Sequence, residues 1–292
     1  MKFLLALFSS FIYFLGFGQN VSEFPLKESS LLWKIEGNGL TSESYLFGTM
    51  HMIEKEYFVF PPKLEKLVKK SDALMMELAG LPNQLEALKY VTLKEGSFFD
   101  YFTKEQTDSI LTWAKKDLNM SEDVFRRTMK TMKPFVVVQL ATQMQFMGKT
   151  ESYEVSFEKI ATDHKIDILG LETIEQQMSI FDNLSDEDQV EMVMSTIRDP
   201  KKSIKTTTEM EKLYVGQNVD SLFLYINQEG GYIEDNQAIF LDDRNKNWIP
   251  KIQNEIKTKK TFIAVGAGHL GGPQGLIRLL QKEGYTVTPI EL

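Results

Sequence analysis

The sequence predicts an α/β fold: a central, mostly parallel sheet flanked by helices, with an N-terminal β-hairpin and a helical insertion. Three observations carry this. Short apolar runs of strand length recur at residues 73–78, 166–171, 261–265 and 285–290. Segments with helical spacing stand between them, and strands alternating with helices favour a parallel sheet. A much longer helical stretch, residues 98–165, separates two of the runs.

Residues 1–18 read as a secretory leader. Lys2 precedes the apolar run 3–17, and Gly16-Phe17-Gly18 supplies the small residues that a signal peptidase reads. The run falls short of the roughly twenty residues that a spanning helix needs. No later segment is long and apolar enough, so residues 19–292 are expected to form a single domain without a stable membrane span. A periplasmic or secreted location follows.

Leu32-Trp33-Lys34-Ile35-Glu36 alternates apolar and polar, Gly37-Asn38-Gly39 turns, and Ser44-Tyr45-Leu46-Phe47 returns, a hairpin pattern. Pro61-Pro62 opens a helix with Leu64, Leu67 and Val68 on one face. Residues 73–78 form a buried strand, and 81–91 resume helical spacing. Within 98–165, Thr103-Lys104-Glu105-Gln106 has capping-box form. Pro134 starts a helix expected to turn Val137, Val138, Ala141 and Met144 inward. Strand 166–171 follows, then a helix capped by residues 173–176, then helices over 186–257 broken at Pro200, Gly216 and Gly230-Gly231. Strand 261–265, a glycine-rich loop 266–272, a helix 273–282 and strand 285–290 end the chain.

The formal charge is −8, and removing the leader takes away Lys2 and no acid. An acidic chain without a basic stripe argues against nucleic acid as a partner. There is no cysteine, which excludes disulfides, thiolate metal ligands and lipid attachment at a cysteine.

Two of the three histidines share one frame. Gly48-Thr49-Met50-His51 and Gly266-Ala267-Gly268-His269 each follow an apolar strand. Glycine lets the backbone turn sharply there, placing the imidazole above the sheet edge. Glu77 and Glu172 end two further strands. The ligand crevice of an open α/β sheet lies outside the carboxyl ends of its strands. Two imidazoles and a carboxylate meeting there can hold a divalent metal with an open position, which suits hydrolysis. Other readings exist for each residue: satisfied histidines in tight loops, a helix-capping Glu77, and Glu172 as an N-terminal cap. His164 reads as solvated, and His51-Met52-Ile53-Glu54 lacks the second histidine of a zinc-binding helix.

Leu46-Phe47-Gly48-Thr49-Met50-His51, Met76-Glu77, Gly170-Leu171-Glu172-Thr173 and Val265-Gly266-Ala267-Gly268-His269-Leu270, with Gly272 and Gly275, resemble the TraB/PrgY/GumN family. That family includes the Tiki metalloproteases. The resemblance runs from about Leu31 to Ile290, in the expected order. It implies an α/β fold and a metal-dependent peptidase site, with His51, Glu77 and His269 as ligands of a divalent Mn, Co, Fe or Zn ion. Members of that family also carry an Arg-Asn pair, here in Asp243-Arg244-Asn245. Arg244 would orient a carboxylate or clamp a peptide terminus; a surface salt bridge is the plain alternative. Glu154 stands at an acidic position that the resemblance brings near the site.

Two functions are therefore in play. One is an exported hydrolase acting on a peptide or protein substrate, with Glu172 as proton acceptor. The other is a non-catalytic envelope protein that sequesters a peptide or assists polysaccharide export.

Overall fold

β1 (Leu32–Gly37) and β2 (Ser44–Thr49) form the expected hairpin, with Leu32 opposite Phe47 and Ile35 opposite Ser44. The computed structural model describes residues 24–80, 84–146, 148–229 and 235–292. The leader with its cleavage point at residue 18, residues 81–83 and the Gly230-Gly231 break lie outside the described residues. The remaining strands are β3 (Ile53–Glu54), β4 (Ala73–Met76), β5 (Thr150–Glu151), β6 (Asp167–Gly170), β7 (Thr261–Gly266) and β8 (Tyr285–Ile290).

The main sheet runs β6-β4-β7-β2-β1-β8. β6, β4, β7 and β2 run parallel to one another, and β1 is antiparallel to both β2 and β8. The parallel strands are short and apolar because helices cover both faces, as such sheets require. Phe47, Phe157 and Phe262 are fully buried, with Phe47 edge-on to Phe157 at 5.6 Å and Phe262 at 5.2 Å from Phe157. The insertion packs around a second cluster that includes Phe98, Trp113, Phe125, Val137 and Val193.

Both expected capping boxes form, Thr103 with Gln106 and Thr173 with Gln176. Three details differ from the sequence reading. The 98–165 stretch is interrupted by β5, which pairs antiparallel with β3. Gly148, at φ 74°, turns the chain out of the preceding helix through a conformation that favours glycine. Met144 is 37% exposed rather than inward, because the helix Phe135–Phe146 carries apolar residues around most of its circumference. The last helix begins at Leu276, not Pro273. Gly272 adopts φ 80° and its carbonyl accepts from the Gly275 N–H at 3.0 Å, so residues 272–275 form a turn instead. Among the described residues no helix is long and apolar enough to cross a membrane.

Candidate functional site

Parallel strands bring their carboxyl ends to one sheet edge. In sheet order that edge presents Glu172 after β6, Glu77 after β4, His269 after β7 and His51 after β2. The ladder continues past β4 and β6: Leu171 N–H donates to Met76 O at 2.8 Å and Glu172 N–H to Glu77 O at 2.9 Å. The two glutamates are thus held side by side. The Gly266 N–H donates to Glu77 Oε1 at 2.9 Å. A Cβ on Gly266 would stand 3.3 Å from Glu77 Oε1 and 3.7 Å from His51 Nε2, so the glycine keeps the middle of the site clear.

Each imidazole is anchored through Nδ1. The Asn245 side-chain amide donates to the carbonyls of His269 and Gln274 at 3.3 and 2.9 Å, so its Oδ1 faces His269 Nδ1, 2.7 Å away, as an acceptor. That fixes the Nδ1–H tautomer by network logic. His269 Nε2 then accepts from Arg244 Nη1 at 3.0 Å. Burial and the adjacent Arg244 push His269 down to about 3, so its ring is neutral. On the other side, His51 Nδ1 donates to Glu154 Oε1 at 2.9 Å, and Glu154 also accepts from Thr49 Oγ1 at 2.6 Å and Ser152 Oγ at 2.9 Å. Packing around His51 lowers its pKa, but the Glu154 hydrogen bond and the Glu77 and Glu154 charges outweigh this and raise it to about 9. The His51 side chain remains 63% exposed, so the cleft opens on its side. Both Nε2 atoms lie 3.9 Å from Glu77 Oε1, hence within twice that distance of each other.

Arg244 joins the carboxylates. Its Nη2 is 2.6 Å from both Glu77 Oε2 and Glu172 Oε1, and its Nε donates to Glu172 Oε2 at 3.2 Å. With its side chain 14% exposed and set 4.8 Å over Trp248, it is not the surface salt bridge that the sequence left open. Burial would raise Glu77, but Arg244, both imidazoles and the Gly266 N–H hold it well below the ordinary carboxylate range. Gln177 donates to Glu77 Oε2 and Glu172 Oε1 at 3.1 and 3.0 Å. The cap of the helix after β6 is Thr173, and the Glu172 carboxylate turns instead to Arg244 and Gln177. His164 is exposed, with Nδ1 on the Ile160 carbonyl at 3.0 Å.

The model of the TraB/PrgY/gumN family matches residues 31–289. The chain belongs to that family. The match takes in the main sheet, but for the last residue of β8, and all the site residues just described. Comparison with curated proteins and with solved structures finds no match. Within this family member the sequence reading missed Asn245 and Gln177 as site residues. The pair Arg244-Asn245 was visible in the sequence, but the Asn245 contact with His269 arises only when their segments dock.

Donor chemistry can be tested against a divalent ion. Metal-ligating histidines commonly donate the other ring N–H to a carboxylate or carbonyl oxygen, as both do here. The 3.9 Å spacings are wider than the edge of about 3.3 Å expected for a tetrahedral ion with bonds near 2.0 Å. As placed, no three or more His, Asp or Glu side chains among the described residues stand close enough to hold an ion. Donor types and orienting partners fit, but as placed Arg244 occupies His269 Nε2, and both 3.9 Å edges, the buried His269 edge included, would have to close for an ion to bind.

Proposed function

We propose that the chain is an exported, metal-dependent peptidase of the kind that its Tiki-like resemblance implies. One observation supports this most. Two imidazoles, each anchored at Nδ1 by a separate side chain, direct Nε2 toward one buried carboxylate at the carboxyl edge of a parallel sheet. His51, Glu77 and His269 would hold the ion. Once bound, a divalent ion supplies Lewis-acid polarisation of a carbonyl and activation of water.

The protein's own groups do the rest. Glu154 and Asn245 fix which ring nitrogen of each histidine faces the site. Arg244 holds Glu77 and Glu172 side by side and keeps Glu77 ionised. Glu172 takes the proton from the attacking water at Oε2, its less tightly held oxygen, 3.2 Å from Arg244 Nε against 2.6 Å for Oε1 from Nη2. Export rests on the leader at residues 1–18.

A second reading is a protein that sequesters a peptide, or assists polysaccharide export, without turnover. The direct pairing of Arg244 with both carboxylates favours it, because a cation already neutralises them. The test is elemental analysis combined with peptide cleavage before and after chelation. Stoichiometric Mn, Co, Fe or Zn, lost together with cleavage, supports the peptidase; metal-free protein that still binds peptide supports the second reading. Glu172→Gln then assigns that residue: metal retained with turnover lost marks a base, and metal lost marks a ligand.

A further inference from the structure

Of the helical insertion only Glu154 touches that site, yet its helices Lys104–Asp117 and Phe135–Phe146 help line a cavity of about 570 Å³. That volume is within the range of ligand pockets, about 300–1,000 Å³. The walls come from the helices Lys104–Asp117, Phe135–Phe146, Asp186–Arg198, Pro200–Val215 and Val219–Glu229. Trp113, Val138, Met144, Ile204 and Ile226 make the wall apolar. Met144 and Ile204 remain 37% and 50% exposed, and large apolar groups exposed together mark a binding surface.

Charge narrows the occupant. Among the described residues, Asp117, Glu191 and Glu229 line the cavity against one base, Lys202, whose Nζ is 3.7 Å from Glu229. An apolar wall with an acidic surplus attracts a ligand with apolar groups beside a cation, and it repels a fatty-acid carboxylate. Position narrows it further. Ile226 packs on Gly268, where an added Cβ would come 3.2 Å from Ile226 Cδ1. Gly268 directly precedes His269, so one wall of the cavity abuts the turn that carries a candidate ligand.

We propose that this cavity binds a peptide segment with bulky apolar side chains flanked by lysine or arginine, and so selects peptides for the neighbouring site. That they are substrates rests on the peptidase reading; that they bind here does not.

Trp113 in the wall provides the signal. Purified protein is titrated with the peptide Lys-Leu-Phe-Leu-Lys, with Glu-Leu-Phe-Leu-Glu and with dodecanoate, following tryptophan fluorescence and, separately, anisotropy of a labelled peptide. The lysine-flanked peptide should saturate, with the glutamate-flanked one weaker by about tenfold or more. The double variant Met144→Asn/Ile204→Asn, at two partly exposed positions and checked as folded by circular dichroism, should lose affinity for the first peptide by about tenfold. Equal affinity for the two peptides, undiminished binding by the double variant, or saturation by dodecanoate in preference to peptide would each overturn the proposal. His51→Ala should bind the lysine-flanked peptide as wild type does, even where metal and cleavage are lost. Binding that disappears with His51 would move the peptide site out of this cavity. Peptide binding without metal or cleavage in the wild type would overturn the peptidase reading and leave the cavity assignment standing.

Discussion

Replacing Arg244 with methionine removes the cation between two carboxylates and keeps most of the apolar length of the side chain. Arg244 Nη2 sits 2.6 Å from each of Glu77 and Glu172, whose side chains are 7% and 6% exposed. Deleting one partner of a buried ion pair costs about 3–5 kcal/mol, because the remaining charge has neither solvent nor counterion. Here two like charges would remain side by side, so the loss should reach at least the middle of that range. The pH dependence follows from Glu77, whose folded-state pKa is held below its ordinary 4.5 despite burial. A depressed folded-state pKa contributes stability that is fully present above the unfolded value and is lost as pH falls toward the folded one. The gap between wild type and Arg244→Met should therefore shrink as pH falls, beginning above pH 4.5, because burial without Arg244 raises the Glu77 carboxylate and the variant takes up that proton first. Urea denaturation across that range measures it. A neutral-pH gap under about 1 kcal/mol, the size of an exposed pair, would refute the reasoning. So would a gap that stays constant into acid.

Further outcomes follow from the same geometry. Phe262→Ala, at a fully buried position between aromatic rings, should cost about 3–5 kcal/mol in urea denaturation, whereas His51→Ala should cost only about 1 kcal/mol or less, because its ring is mostly exposed and gives up chiefly the Glu154 pairing. His269→Ala lies between, about 1–3 kcal/mol, since it leaves Asn245 Oδ1 without its buried donor; equal costs for the two histidines would contradict these placements. Glu154→Gln should lower the His51 midpoint from about 9 toward 6.5, measured by NMR titration of the imidazole. A raised histidine pKa stabilises the fold fully below 6.5 and loses that contribution as pH rises through about 9, so the variant's stability should be flatter across this window. An unmoved midpoint would separate His51 from Glu154. Mature protein in an osmotic-shock fraction should begin near Gln19, and intact Met1 in the membrane fraction would rule out the leader.

The sheet edge was legible because each of its four residues stands within four positions of the end of a short apolar run. A parallel sheet leaves those ends nowhere to go but one edge. The hairpin, the two capping boxes and the helix break at Pro200 were legible for the same reason: each is written within a few adjacent residues. Other features depend on docking between distant segments. Gln177 reaches Glu77 only because the helix Ile174–Asp182 leans over the end of β4, a relation 100 residues long. The strand pair β3-β5 is two residues on each side, too short for alternation to register. The exposed face of the helix Phe135–Phe146 escaped because a helix that is apolar nearly all round gives no preferred direction.

The central claim is that His51 and His269 share one divalent ion with Glu77. Its most direct test is metal titration by equilibrium dialysis of wild type, His51→Ala and His269→Ala, each confirmed folded by circular dichroism. The account predicts stoichiometric binding by the wild type and loss of that binding in both variants. Folded variants that bind metal as tightly as the wild type would contradict it, leaving His51 and His269 as structural histidines in tight loops.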